Sequence, residues 1–137
     1  LQSTLIKIKF VLLGSTRAEH LISDNFERAI EEKESVINLC GKSKINELPI
    51  IINDLDLLLT NDTGAMHLAI ALQVKTVSLF GPTDSKIYGP YQDYNIHRVV
   101  NTGNPRFVQD RQINFKSLNP MEKIGIDQVY TEIKRAI

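Results

Sequence analysis

The chain alternates short apolar runs with segments in which apolar residues recur at helical spacing. Each run has the length of a buried strand and is followed by small or polar residues, as at the end of a strand. The predicted strands cover residues 6–13, 36–40, 55–60 and 76–80, with a weaker fifth strand at residues 98–100.

Helical spacing fills most of the sequence between these strands. Asp24, with Glu27 three positions later, fits a capping box and predicts a helix start at that point. Pro49 is compatible with the first turn of a second helix. The predicted helices cover the stretch around Phe26 and Ile30, residues 45–52, residues 64–72 and a terminal face of Ile126, Val129, Tyr130, Ile133 and Ile137.

The order β-α-β-α-β-α-β predicts right-handed crossovers and an α/β fold with a doubly wound, mostly parallel sheet. Residues 83–95 and 101–120 are predicted as loops. In such a sheet, ligands bind outside the carboxyl ends of the strands. We therefore expect the site to be formed by the segments that follow the strands, residues 14–19, 41–44, 61–67 and 81–91.

Composition narrows the class of protein. The 137 residues are 42% hydrophobic, which suits a globular domain. Lys plus Arg and Asp plus Glu both number 16, so nothing indicates a nucleic-acid-binding surface. No apolar run approaches the roughly 18 residues of a membrane span. Cys40 is the single cysteine, and we expect it to be a small buried residue in a cytoplasmic protein.

Asp62-Thr63-Gly64 stands where the third predicted strand turns into the third predicted helix. The first backbone N–H groups of a helix, and its positive dipole end, favour an anion such as phosphate. Gly64 lets a ligand approach the backbone closely, and the Thr63 hydroxyl can donate to a diphosphate. Asp62 is better suited to sugar hydroxyls, because two anions repel. A simple helix cap without a ligand is the alternative.

Two further residues accompany this motif. His67 lies four residues after Thr63, on the same helix face, where it can donate to phosphate or sugar. A buried histidine with a structural role is the alternative. Thr83, in Gly81-Pro82-Thr83-Asp84, offers a hydroxyl after the next strand, although this segment also fits a rigid turn.

The segments after the first two strands carry further candidates. Glu19 is suited to accept from a ribose diol, and Lys42 and Lys44 to offset phosphate charge; exposed surface residues are the alternative. Gly14-Ser15-Thr16-Arg17-Ala18-Glu19 is neither a GxGxxG motif nor a P-loop. The three histidines show no metal-ligand spacing, so we expect no metal and no cofactor.

Three segments together carry a family resemblance: Thr60-Asn61-Asp62-Thr63-Gly64-Ala65-Met66-His67, Phe80-Gly81-Pro82-Thr83-Asp84 and Gly89-Pro90-Tyr91. They resemble glycosyltransferase family 9, the ADP-heptose:lipopolysaccharide heptosyltransferases and their relatives, over about residues 6–100. Ala65 stands where many members have proline, and Gln73-Val74-Lys75 replaces a turn similar to Gly-Lys-Pro. The resemblance implies a Rossmann-like fold, the C-terminal half of a two-domain GT-B enzyme.

The resemblance also implies roles for the residues of the central motif. Thr63 and Gly64 would hold the diphosphate of a nucleotide-sugar donor. Asp62 and His67 would face the sugar and its phosphate. The donor would be ADP-heptose or a similar nucleotide sugar.

Further implications concern the nucleoside and the rest of the enzyme. Glu19 would bind the ribose, and Ser43 with its neighbours would line the adenine pocket. The family's acidic general base and its acceptor surface belong to the N-terminal domain, and no residue of this chain matches that base. We expect residues 1–137 to be a single donor-binding domain, a fragment that begins at Leu1, is inactive alone and carries no catalytic residue.

The resulting prediction is a domain of an inverting glycosyltransferase. The enzyme would move a heptose or related sugar from a nucleotide diphosphate to a lipopolysaccharide-type acceptor, which the N-terminal domain would bind. Peripheral association of the full enzyme with the inner face of the membrane stays open. So do two other functions, a GT-B domain that uses a UDP-hexose and a non-catalytic, flavodoxin-like binding module.

Overall fold

The computed structural model describes residues 7–102 and 120–137. Contacts divide the chain into two compact units, Leu1–Glu47 and Leu48–Ile137. Every strand pair registered in the described residues is parallel. Parallel pairing requires a crossover between successive strands, and the helices of the chain supply these crossovers.

The first unit is a β-α-β segment. Its elements are β1 (Phe10–Leu12), α1 (Arg17–Ala29), a 3-10 turn (Lys33–Ser35) and β2 (Val36–Asn38). The pairing of β1 with β2 continues beyond the strands, because the Gly41 N–H donates to the Gly14 carbonyl at 2.7 Å. The rings of Phe10 and Phe26 meet edge to face at 5.3 Å between centroids, which helps to hold α1 against the strands.

The second unit contains a three-stranded sheet in the order β3-β4-β5. Asn61 of β3 lies opposite Leu79 of β4, so the carboxyl ends of these two strands meet at one edge of the sheet. The elements are α2 (Leu48–Asn53), β3 (Leu58–Asn61), α3 (Gly64–Ala71), β4 (Thr76–Phe80), α4 (Ser85–Tyr88), β5 (His97–Asn101), a 3-10 turn (Pro120–Lys123) and α5 (Ile126–Ala136).

The central strand of the second unit, β4, is buried on both faces. Val77 and Val100 pack with Ala136 of α5 and form the core on one side. Thr76 and Ser78 alternate with Val77 along β4, so they lie on the opposite face, and both are completely buried. Burial of both faces is expected of a parallel sheet between layers of helices.

The structure confirms the predicted alternation of strands and helices. It places β4 at the predicted bounds, and α3 and α5 within one residue of theirs. Pro49 lies in the first turn of α2, as predicted. A short helix, α4, interrupts the predicted loop at residues 83–95. Most of the loop predicted at residues 101–120 lies outside the described residues, although Asn101 ends β5.

The predicted start of α1 is wrong. The helix begins at Arg17, and the capping box is formed by Thr16 and Glu19 instead of Asp24 and Glu27. Asp24 is exposed within the helix, because the chain is already helical when it reaches that position. Both pairs have the three-residue spacing of a capping box, so spacing alone does not distinguish them.

Candidate functional site

The first turn of α3 follows almost directly from β3. Thr63 is the N-cap residue, with an extended backbone (φ −145°, ψ 169°). Its carbonyl accepts from the Met66 N–H at 3.1 Å and from the His67 N–H at 3.5 Å, which closes the first turn. The N–H groups of Gly64 and Ala65 precede these bonds and lie in the part of a helix that lacks intrahelical acceptors.

The Thr63 side chain does not cap the helix. Its hydroxyl lies 3.2 Å from the Thr60 hydroxyl instead. By contrast, Thr16 accepts from the Glu19 N–H at the start of α1, and Asp84 accepts from the Lys86 N–H at the start of α4. The Thr63 side chain therefore provides no cap, and whether Asp62-Thr63-Gly64 is more than a ligand-free helix start stays a prediction.

Gly64 borders open space. Among residues 7–102 and 120–137, a Cβ built at this position meets no atom within 4 Å, so the packing of those residues does not require a glycine here. Gly81 differs, because a Cβ there would lie 2.6 Å from the Met121 sulfur. The space above Gly64 allows a ligand to approach the backbone of the helix start.

The polar residues of the motif are accessible to solvent. Thr63 and His67 are exposed and Asp62 is half-buried, whereas Met66 and Ala69 of the same helix are completely buried. The alternative that His67 is a buried structural residue is wrong. An exposed histidine one turn after Thr63 can reach a group bound at the helix start.

Thr83 lies in the loop that follows β4. This loop and the start of α3 follow adjacent parallel strands, so they share one edge of the sheet. Thr83 is half-buried. The next residue, Asp84, accepts from the Lys86 N–H at 2.9 Å and caps α4. The second unit thus brings Asp62, Thr63, Gly64, His67 and Thr83 to one edge of its sheet.

Glu19 lies in the first turn of α1. Its carboxylate accepts from the backbone N–H groups of Thr16 at 2.7 Å and Ser15 at 2.9 Å. These two bonds, the Thr16 bond first, lower the pKa of Glu19 from 4.5 to about 2, so the side chain is anionic throughout the neutral range. A carboxylate has about four acceptor positions, so Glu19 can cap α1 and still accept from hydroxyl groups.

Lys42 and Ser43 follow β2. The Lys42 ammonium donates to the Asn38 carbonyl at 2.9 Å, and the Ser43 N–H donates to the Leu39 carbonyl at 3.3 Å. Lys42 is exposed and Ser43 is half-buried. The first unit thus places Glu19, Lys42 and Ser43 after the carboxyl ends of its two strands.

Neighbouring side chains pack closely against the backbone at Gly14 and Gly41. A Cβ at Gly14 would lie 2.8 Å from the sulfur of Cys40, which is buried as predicted. Gly41 has a positive φ of 68°, and a Cβ there would overlap the ring of His20. His20 was considered from the sequence only as a possible metal ligand. No motif indicated that the His20 ring lies against Gly41.

Sequence reasoning gave no role to Thr60, because one threonine inside a strand has no distinguishing pattern. Its contact with Thr63 follows from the tight turn between β3 and α3. In residues 7–102 and 120–137, no group of three or more His, Cys, Asp or Glu side chains is arranged to hold a metal ion. The helices in those ranges are also too short or too polar to cross a membrane.

The fold defines an α/β domain with parallel strands, and the candidate residues follow the carboxyl ends of those strands. The structure is similar to the crystal structure of a glycosyl transferase family 9 protein from Veillonella parvula, with a TM-score of 0.79 and 27% identity over 93% of this chain and 36% of that one. It also matches a structure of Escherichia coli ADP-heptose LPS heptosyltransferase II in fold, with a TM-score of 0.59, 22% identity and coverage of 92% and 37%.

The sequence identifies the family. Residues 5–116 match the model of glycosyltransferase family 9 (heptosyltransferase), and the chain belongs to this family. The predicted resemblance and fold class are confirmed, and the match extends beyond residue 100, where the motifs alone ended.

Curated relatives carry heptosyltransferase names. Lipooligosaccharide heptosyltransferase 2 of Campylobacter jejuni is 37% identical over 90 residues, which are 65% of this chain and 28% of the relative. Lipopolysaccharide heptosyltransferase 2 of Escherichia coli K12 is 32% identical over 82 residues, 58% and 23% of the respective chains. The chain thus spans only about a quarter of the length of these relatives.

Proposed function

We propose that this chain is the donor-binding part of a heptosyltransferase and that the first turn of α3 holds the diphosphate of a nucleotide sugar. The observation that carries the proposal is the helix start itself, where Thr63 provides no side-chain cap and Gly64 borders open space. Membership of glycosyltransferase family 9 supports a sugar-transfer role for this site.

The residues at this edge have complementary chemistry. The backbone donors at Gly64, with the Thr63 hydroxyl, suit the diphosphate oxygens. Exposed His67 donates to the phosphate or to the sugar, and the Asp62 carboxylate accepts from sugar hydroxyls. Thr83 adds a hydroxyl from the loop after the neighbouring strand.

In the first unit, we assign the nucleoside to the residues that follow β1 and β2. Glu19 is anionic at neutral pH and accepts from the ribose diol. Ser43 lines the pocket for the base. The Lys42 ammonium has further protons beyond the one given to Asn38, and these offset phosphate charge.

The chemistry assigned to this chain is stabilisation of the leaving diphosphate. Negative charge develops on that group as the sugar departs, and preorganised N–H donors at a helix start stabilise it without reorganisation. A part of the enzyme beyond these residues supplies the general base and the lipopolysaccharide-type acceptor site. The 137-residue chain is a single donor-binding domain that binds donor weakly and turns over nothing by itself.

Isothermal titration calorimetry of the 137-residue chain with ADP, UDP and adenosine tests the proposal. We expect weak ADP binding, a preference for ADP over UDP in competition, and weaker binding of adenosine, which lacks the diphosphate. A folded sample that binds neither ADP nor UDP at millimolar concentration would overturn the proposed function. Preference for UDP would instead identify a UDP-hexose as the donor.

A further inference from the structure

The Thr60 hydroxyl lies between two oxygen atoms at the turn from β3 to α3. Its Oγ1 atom is 3.1 Å from the Asn61 carbonyl oxygen and 3.2 Å from the Thr63 Oγ1 atom. Thr60 itself is half-buried and lies in the β3 ladder opposite Ser78. The Thr63 side chain thus lies between Thr60 and the open space at the helix start.

The hydroxyl groups of Thr60 and Thr63 have only two protons between them. Each hydroxyl has one proton to donate and two lone pairs to accept with. Thr60 donates to the Asn61 carbonyl, so the contact between the hydroxyls uses the proton of Thr63. In this arrangement, Thr63 has no proton left for a ligand.

We propose that Thr60 is a positioning residue, which rotates its proton from the Asn61 carbonyl to the Thr63 oxygen when a phosphate oxygen arrives. The Thr63 proton then points to the phosphate, and both hydroxyls keep their own protons throughout. This inference rests on the proposed function, since it assigns the approaching anion to the donor diphosphate. The contact between Thr60 and Thr63 persists, with its direction reversed.

The rotation has two consequences for binding. A hydroxyl that accepts a hydrogen bond is polarised and becomes a better donor, so Thr60 strengthens the bond from Thr63 to the phosphate. The contact also holds the Thr63 side chain in place, which reduces the ordering that a ligand must impose. Removing the Thr60 hydroxyl removes both effects without touching the ligand contact itself.

Calorimetric titration of ADP into four variants of the 137-residue chain tests the inference. The variants are Thr60→Val, Thr60→Ser, Thr63→Val and the Thr60→Val/Thr63→Val double variant. We expect Thr60→Val to weaken ADP binding about three- to tenfold, which corresponds to the loss of one net hydrogen bond. Thr60→Ser keeps the hydroxyl and should bind ADP like the wild type. The double variant should bind no more weakly than Thr63→Val, because Thr60 acts through Thr63.

Two controls separate positioning from a structural role. Thr131→Val removes an exposed hydroxyl from α5 and should leave ADP binding unchanged. Thr60→Val should leave the affinity for adenosine unchanged, whereas a distorted fold would lower both affinities.

Each remaining outcome is decisive. If Thr60→Val binds ADP like the wild type, or if the two single effects multiply in the double variant, the inference is overturned while the proposed function stands. If the folded wild type binds neither ADP nor UDP, the proposed function fails and the role of Thr60 fails with it.

Discussion

Thr16 and Glu19 cap the start of α1 reciprocally. The Glu19 carboxylate accepts from the Thr16 N–H at 2.7 Å, and the Thr16 hydroxyl accepts from the Glu19 N–H at 3.3 Å. One glutamate thereby both stabilises a helix end and supplies the anion that we assign to the ribose. The two roles can be separated by experiment.

Replacement of Glu19 by Ala should lower the free energy of unfolding at pH 6 by about 0.5–1 kcal/mol, because the side chain is exposed and the loss is that of a cap. The folded pKa of Glu19 lies near 2, below its ordinary value of 4.5. Its contribution is therefore complete above pH 4.5 and is lost as the pH falls from there towards 2.

Urea denaturation at pH 6, 4 and 2.5 measures this effect. The difference between wild type and Glu19→Ala should shrink as the pH falls, while Glu19→Gln keeps an acceptor and most of the stability at pH 6. A Glu19→Ala variant as stable as the wild type at pH 6 would contradict the capping role. Glu31→Ala serves as a control for removal of an exposed glutamate.

Replacement of Gly64 by Ala should leave the fold intact and weaken ADP binding at least about tenfold, because the methyl group occupies the space assigned to the diphosphate. Gly64→Val should weaken binding further. Gly125→Ala is the control, since Gly125 is the N-cap residue of α5 and the nearest described atom to a Cβ there is the Gln128 Oε1 atom at 3.7 Å. Equal loss of ADP affinity in the Gly64 and Gly125 variants would argue against the assigned site.

Gln73→Gly should raise the free energy of unfolding by about 1 kcal/mol. Gln73 has a φ of 58°, and this left-handed backbone conformation is unfavourable in energy for a residue with a Cβ atom. The turn itself satisfies the end of α3, with the Val74 N–H donating to the Ala69 carbonyl at 2.9 Å. The exposed contact of the Gln73 amide with Asp93, at 3.4 Å, offsets little of this gain. Thermal denaturation at neutral pH should show a higher midpoint; a lower one would mean that the side-chain contact outweighs the strain.

His97 should make the second unit less stable in mild acid. The side chain is buried, its Nδ1 atom lies 3.2 Å from the Thr76 hydroxyl, and burial lowers its pKa below 6.5 although Asp93 partly opposes this. The unfolded chain therefore binds the proton more readily, and stability is lost as the pH falls below about 6.5.

Denaturation at pH 7.5 and pH 5.5 checks the role of His97. His97→Gln retains a polar group for Thr76 but cannot titrate, so it should lose less stability than the wild type over this interval. An identical loss in both proteins would assign the acid sensitivity to other groups.

Strongly apolar segments were predictable because burial leaves a clear periodic signal. β4 is bounded by Lys75 and Gly81-Pro82, and its predicted bounds agree with the structure. α4 was missed because a helix of four residues is too short to show a period. The start of α1 was missed although Thr16 and Glu19 carry the signal, since the Asp24–Glu27 pair has the same three-residue spacing.

The candidate site was predictable as a set of residues but not as a geometry. The sequence identified Asp62, Thr63 and Gly64 from their position between strand and helix. It left open whether Thr63 caps α3, because that depends on one side-chain rotation. For the same reason, the exposure of His67 and the contact made by Thr60 required the coordinates.

The start of α3 also illustrates a trade-off between stability and activity. A side-chain cap at this position would be worth about 1 kcal/mol, yet it would occupy donors that the proposed ligand needs. Variants selected only for thermal resistance would therefore tend to acquire a cap at Thr63 and lose donor affinity. In the proposed function the ligand takes the place of the missing cap, and donor binding would raise the melting temperature of the chain by mass action.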